Sequence, residues 1–179
     1  MNKLIIFLIL IFLSSGCSRA RAGQKLTPTK PHESPTVYNF KKSEKDDAKI
    51  FQTMGLDYFN QGNWPQAQTN FKKAVKLNPS LYQSWYHLGL LNSGSEDGYN
   101  YFKKTVELNP ELPTPYFWMA YYHCRLHEDK KAVTLFKKYI ELAANEPGEE
   151  GRLKLSKEVL QELLSGKDGA ILSTIRKPI

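Results

Sequence analysis

The chain has 179 residues with 25 Lys and Arg against 18 Asp and Glu, enough for one modest domain and flanking segments. Its excess of seven positive charges is spread thinly: one in residues 1–17, three in 18–47, two in 48–147 and one beyond. A nucleic-acid binder gathers basic residues on one face, so no nucleic-acid partner is expected; the Lys pairs belong to solvated helix faces. Two cysteines, Cys17 and Cys124, exclude a disulfide framework.

The chain begins MNKLIIFLILIFLSSGCSRA. Lys3 precedes ten apolar residues, positions 4–13. That run is too short for the ~20 residues of a membrane-crossing helix and fits the apolar region of a signal peptide. The tetrapeptide SSGC then resembles the lipobox of bacterial lipoproteins, although Ser14 stands where that pattern has Leu and Leu13 lies one step earlier. The resemblance implies removal of residues 1–16 and a lipid on Cys17, giving an anchor in the bacterial cell envelope. Ser18, not Asp, follows the cysteine, which favours the outer membrane facing the periplasm over the inner membrane. A plain signal peptide cut near Cys17 or Ala20, and hence a soluble secreted adaptor, is the alternative.

Residues 17–47 form a linker with Pro28, Pro31 and Pro35 and only scattered apolar side chains. Such a stretch buries too little surface to offset the entropy of ordering it. As random coil, ~30 residues span on the order of 30 Å.

From Ala48 a helical period takes over, and the chain repeats itself. NFKKAVKLNP ends at Pro79, YFKKTVELNP ends at Pro110, and LFKKYIELAA ends at Ala144. Phe51, Met54 and Gly55 recur as Trp85, Leu88 and Gly89, and then as Tyr116, Met119 and Ala120. The closing marks are Ala67 and Phe71, then Gly98 and Phe102, then Ala132 and Phe136. Opening marks are 34 and then 31 residues apart, closing marks 31 and then 34. Three residues are therefore missing between Gly89 and Phe102. The turn signal SGSEDG predicts a first helix shortened by about one turn, with Ser95 capping the next.

This pattern resembles the tetratricopeptide repeat, W-x2-L-G-x2-Y…A-x3-F…P. The expectation is an all-α, right-handed superhelix of three helix pairs, at residues 48–81, 82–112 and 113–147. A capping helix follows at 148–166, where Leu153, Val159, Leu160, Leu163 and Leu164 recur near helical spacing until Gly166. It is expected to pack on the second helix of the third pair. Residues 167–179, with Ile171, Leu172 and Ile175, dock on the domain or hang free. Within each pair the small residues Gly55, Gly89 and Ala120, with Ala67 and Ala132, let the two helices touch. Phe71, Phe102 and Phe136 fill the space between one pair and the next, and Pro79 and Pro110 stop the second helices.

The resemblance further implies a concave groove lined by positions 2, 5, 9 and 12 of each first helix. These are Lys49, Gln52, Leu56 and Phe59; Gln83, Tyr86 and Leu90; and Thr114, Phe117, Tyr121 and Cys124, with Arg125 beside them. Family members that clamp a C-terminal carboxylate use Lys and Asn where this chain has Gln52 and Leu56, so that role is rejected. An apolar peptide or helix of a partner protein suits the lining. The chain's own tail, its linker or a second copy is an alternative occupant, since large apolar patches rarely stay bare.

His123 and His127 lie one turn apart with Cys124 between, but no third ligand shares their spacing and no metal site is expected. No Ser-His-Asp order, phosphate-cradling loop or paired-carboxylate motif is present. The reading is a non-enzymatic, lipid-anchored interaction scaffold without cofactor, acting in assembly of an envelope complex. Recruitment of a cell-wall enzyme, or binding of a glycan or lipid, are the competing classes.

Overall fold

A computed structural model describes residues 43–177. The expected signal peptide, Cys17 and nearly all of the linker lie outside the described residues. Within them the chain is all-helical: α1 (Glu44–Asn60), α2 (Trp64–Leu77), α3 (Tyr82–Leu91), α4 (Glu96–Leu108), α5 (Pro113–Arg125), α6 (Asp129–Ala143), α7 (Glu150–Ser165) and α8 (Ala170–Ile175). α1 pairs with α2, α3 with α4 and α5 with α6, and each pair packs on the next through its second helix. Among the described residues no helix is long and apolar enough to cross a membrane.

Short polar residues set the starts of α1, α2 and α4. The Ser43 hydroxyl accepts from the Asp46 amide at 3.2 Å, and Glu44, Asp46 and Asp47 place negative charge at the positive end of α1. Asn63 opens α2, and the Ser95 hydroxyl accepts from the Gly98 amide at 3.1 Å to open α4. The joints between pairs are built twice in the same way. Asn78 and Asn109 end α2 and α4, and their side chains accept from the amides of Ser80 and Glu111. Trp85 Nε1 then donates to the Pro79 carbonyl at 2.8 Å, and the Tyr116 hydroxyl to the Pro110 carbonyl at 3.0 Å. The ring that opens each later pair thus grips the proline before it.

The small residues act through the phenylalanines. A Cβ on Gly55 would lie 2.7 Å from the Phe71 ring, and one on Gly89 2.6 Å from the Phe102 ring. The glycines make room for a ring, and the helices close over it. Ala67, Phe71, Ala120, Ala132, Phe102 and Phe136 are all buried.

The missing three residues fall where the turn signal placed them. α3 has 10 residues against 13 in α5, and residues 92–95 connect it tightly to α4. That connector runs so close to α4 that a Cβ on Gly98 would lie 2.1 Å from the Asn92 carbonyl oxygen. Gly98 stands where the other pairs carry Ala67 and Ala132, and the shortened connector accounts for the difference.

Each turn inside a pair needs one left-handed residue. Gly62 (φ 74°) and Gly94 (φ 82°) supply it in the first two; His127 (φ 56°) supplies it in the third. A side chain there costs conformational energy that glycine avoids. His127 is exposed, so little packing is lost with its ring. His127→Gly is expected to raise stability by about 0.5–1 kcal/mol, read as a higher thermal midpoint.

The C-terminal residues close the array. α7 packs on α6, as expected for a cap, and α8 turns back onto α5 and α7. Glu162 accepts from the amides of Ile171 (3.3 Å) and Leu172 (2.8 Å), filling the donors at the start of α8. Val159, Leu163, Leu172 and Ile175 join Phe117, Ala120, Cys124 and Phe136 in one apolar cluster. Of the two fates open to residues 167–179, docking is the one observed for the described part.

Candidate functional site

The first helices of successive pairs meet through the side chains expected to line the groove. Gln52 Nε2 of α1 donates to Gln83 Oε1 of α3 at 3.2 Å. Tyr86 of α3 adjoins Thr114 of α5, and the Thr114 hydroxyl donates to Glu149 Oε1 at 3.1 Å. Position 5 of one pair thus touches position 2 of the next, and the series runs on into the start of α7.

That continuation divides the wall. Toward the first two pairs it is accessible: Lys49 and Gln83 are exposed, and Gln52, Leu56, Phe59, Tyr86 and Leu90 are half-buried. Phe59, Trp64, Leu90 and Leu91 line a cavity of about 280 Å³ there. Trp64 is 51 % exposed and meets Phe59 edge to face at 5.1 Å between centroids. His87 stacks on Phe71 at 4.9 Å and abuts Phe59, and its Nδ1–H donates to the Gln83 carbonyl at 2.7 Å. Burial lowers its pKa against the smaller opposing effect of that hydrogen bond, which favours the uncharged ring beside the cavity. Burial likewise raises the Tyr86 phenol.

Toward the third pair the expected open wall is corrected. Thr114 and Phe117 are each only 5 % exposed, and Cys124 is fully buried. Their cover is the chain's own C-terminal segment: Glu149 on Thr114, and Val159, Leu163, Leu172 and Ile175 around Phe117 and Cys124. Tyr121 remains half-buried at the margin of that cluster. Arg176 fastens the cover, donating from Nε to the Cys124 carbonyl at 3.2 Å and pairing with Asp129 and Asp168. Arg125 does not line the groove freely either, since its Nη1 donates to the Gly94 carbonyl at 2.9 Å. The physical reason for the first three is that a small or apolar side chain serves a core as well as a groove, while the Arg125 guanidinium is held by a backbone carbonyl.

Burial pushes the Cys124 thiol up to about 12, so it is held as an unreactive neutral group. His123 is buried, as a packing residue would be, and pairs with Glu128. No group of three His, Cys, Asp or Glu able to hold a metal occurs among the described residues. Reading the sequence missed Trp64, Glu149 and Arg176. Trp64 had a signal, a bulky ring directly after a capping asparagine, where packing does not require one. The other two make partners too distant in sequence for spacing to show.

Comparison with known proteins agrees with this geometry. Residues 55–94 match the model of the TPR repeat family. No curated protein matches the sequence significantly. Among solved structures, PcrH in complex with the chaperone binding region of PopD is 21 % identical, with 69 % of this chain and 95 % of that chain covered and a TM-score of 0.59. The type III secretion chaperone SycD of Yersinia enterocolitica, in complex with a peptide of the translocator YopD, is 17 % identical over 69 % of this chain and 96 % of that one, with a TM-score of 0.60. The TPR2B domain of yeast Sti1 is 14 % identical over 68 % and 98 %, with a TM-score of 0.55. At these identities the likeness is one of fold. The described residues fold as an all-helical TPR-like array, with the match to the TPR repeat model at residues 55–94.

Proposed function

We propose that this protein is a non-enzymatic protein–protein interaction scaffold that takes an apolar segment of a partner protein on the wall formed by its first two helix pairs. The observation that carries the reading is the cavity between Phe59, Trp64, Leu90 and Leu91, which leaves an exposed indole beside a 280 Å³ recess. Aromatic and aliphatic anchors of this kind supply most of the affinity in interfaces, while Gln52 and Gln83 offer amides to a bound backbone. Structural neighbours found with peptides bound lend further support. The SSGC tetrapeptide supports anchoring in a bacterial envelope through a lipid on Cys17, the outer membrane facing the periplasm being favoured.

The test is a photo-crosslinking residue at Gln83 in intact cells. A discrete adduct is expected, and Phe59→Glu with Leu90→Glu is expected to weaken it at least 30-fold, about 2 kcal/mol of anchor energy. An adduct indifferent to both substitutions, with helicity retained, overturns the reading. Labelling with a fatty acid, lost in Cys17→Ser, tests the anchor separately.

A further inference from the structure

α8 sits on its neighbours as a bound peptide sits on a receptor. It is six residues long and packs on α5 and α7, and only one stripe of it is covered. Leu172 is 1 % and Ile175 8 % exposed, three residues apart, while Ser173 and Thr174 between them face water. The segment hangs from α7 by the exposed Lys167 and Asp168, next to Gly166 in the left-handed region (φ 67°).

What it covers is in register with the open wall. Phe117 holds the place on α5 that Tyr86 holds on α3 and Gln52 on α1. Gln52 and Tyr86 are half-buried, whereas Phe117 is buried and shares an apolar cluster with Leu172 and Ile175. Cys124, at the position of the half-buried Phe59, is fully buried in the same cluster. The inner wall thus runs through all three pairs, and its last third is filled from the same chain.

The fastenings are ones a separate segment could supply. Glu162 of α7 accepts from the amides of Ile171 and Leu172 at 3.3 and 2.8 Å, groups that every helix start presents. Arg176 donates to the Cys124 carbonyl at 3.2 Å and pairs with Asp129 and Asp168, whose side chains are about half exposed. Asp168 belongs to the segment itself, so the Cys124 carbonyl and Asp129 are the receptor's part. Two apolar anchors and one guanidinium have to offset the entropy of ordering the segment, a balance that a competitor with the same groups can tip.

We propose that the inner wall of α5 is a second binding site, filled in cis by α8. Its ligand is a short helical segment of a partner protein with two apolar side chains three residues apart and an arginine directly after the second. Such a segment takes the place of α8, while α7 stays on α6 through Val159 and Leu163. The site does not depend on the recess beside Trp64, and the probe below does not touch that recess.

The full chain in mild detergent with Cys17→Ser has Cys124 as its one thiol, a reporter beneath α8. Maleimide labelling of Cys124 in this parent is expected to be slow. Leu172→Ser with Ile175→Ser should speed it at least about tenfold with the helicity of the array retained, since labelling follows the open fraction of a covered site. A synthetic peptide of residues 167–177 should then restore slow labelling, and the same peptide carrying both substitutions should not. Arg176→Gln, which keeps both anchors, should speed labelling about three- to fivefold, an effect the unaltered peptide also reverses. Labelling that the double substitution leaves slow overturns the proposal, because α8 is then not the cover. Fast labelling that the peptide does not slow, with helicity retained, overturns it by showing no site for a separate segment. If the double substitution unfolds the array, Arg176→Gln decides: acceleration reversed by the peptide supports the site, and any other result overturns it.

Discussion

Glu149→Ala is expected to destabilise the protein by about 3 kcal/mol, the largest effect of any single polar substitution considered. The carboxylate is 7 % exposed and gathers four donors. Thr114 donates at 3.1 Å and the Tyr139 hydroxyl at 2.7 Å, while Arg152 donates through Nε at 2.7 Å and Nη2 at 2.6 Å. Truncation strands the Tyr139 hydroxyl in a fully buried ring and leaves a guanidinium beside it. Arg152 is 40 % exposed and turns partly to water, which keeps the loss at the lower end of the range for a broken buried pair.

The same substitution has a pH signature. Burial pushes the Glu149 carboxyl up, but hydrogen bonds from Arg152 and Tyr139, the Arg152 charge and the Thr114 hydroxyl together outweigh it and hold the pKa below the usual value. A carboxylate depressed in the folded state contributes in full above its unfolded pKa, about 4.3, and loses that contribution as pH falls through the folded value. The stability gap between the parent and Glu149→Ala is therefore widest near neutrality and narrows on acidification below about pH 4. Urea unfolding at a series of pH values measures it. A gap that stays constant to the acid limit contradicts the depressed carboxyl, and Glu149→Gln, which keeps an acceptor, should fall between the two.

The second large effect is Gly98→Ala, expected to cost about 2–3 kcal/mol although it adds one methyl group and improves helix propensity. The new Cβ would lie 2.1 Å from the Asn92 carbonyl oxygen and 2.7 Å from its carbon. That carbonyl is held by the Ser95 hydroxyl at 2.6 Å and the Ser95 amide at 3.1 Å, so it cannot move aside without breaking the cap of α4. Lengthening the connector should relieve the clash. Three residues inserted after Leu91, restoring the 34-residue period, are expected to recover most of the loss in Gly98→Ala. Failure of the insertion to recover it would separate the glycine from the deletion.

The array was legible because its architecture is periodic and local. Small residues at Gly55, Gly89 and Ala120, rings at Phe71, Phe102 and Phe136, and prolines at Pro79 and Pro110 mark helix pairs directly, and the one break in period could be traced to a turn signal before Ser95. The C-terminal closure was not legible. An apolar stripe states that a helix face will be buried, never by what, and Leu172 and Ile175 carry the same stripe whether they cover Phe117 or stand in water. The contacts that decide it, Thr114 to Glu149 and Cys124 to Arg176, link residues 35 and 52 apart and belong to no repeat. Phe117 reads identically as a groove ring and a core ring, so the sequence could place it on the inner wall without showing that the wall is covered.

The way Arg176 and Glu149 bolt down the carboxy-terminal end, with Ile50 and Met54 left on the opposite edge, gives the array a direction. In a stack where each pair leans only on its neighbours, melting starts where the fewest contacts must break. A front that starts at α1, where Ile50 and Met54 are exposed, advances from the amino end. One indole rides in each pair, Trp64 in α2, Trp85 in α3 and Trp118 in α5, so the molecule carries three natural fluorescent reporters in the order of its own unravelling.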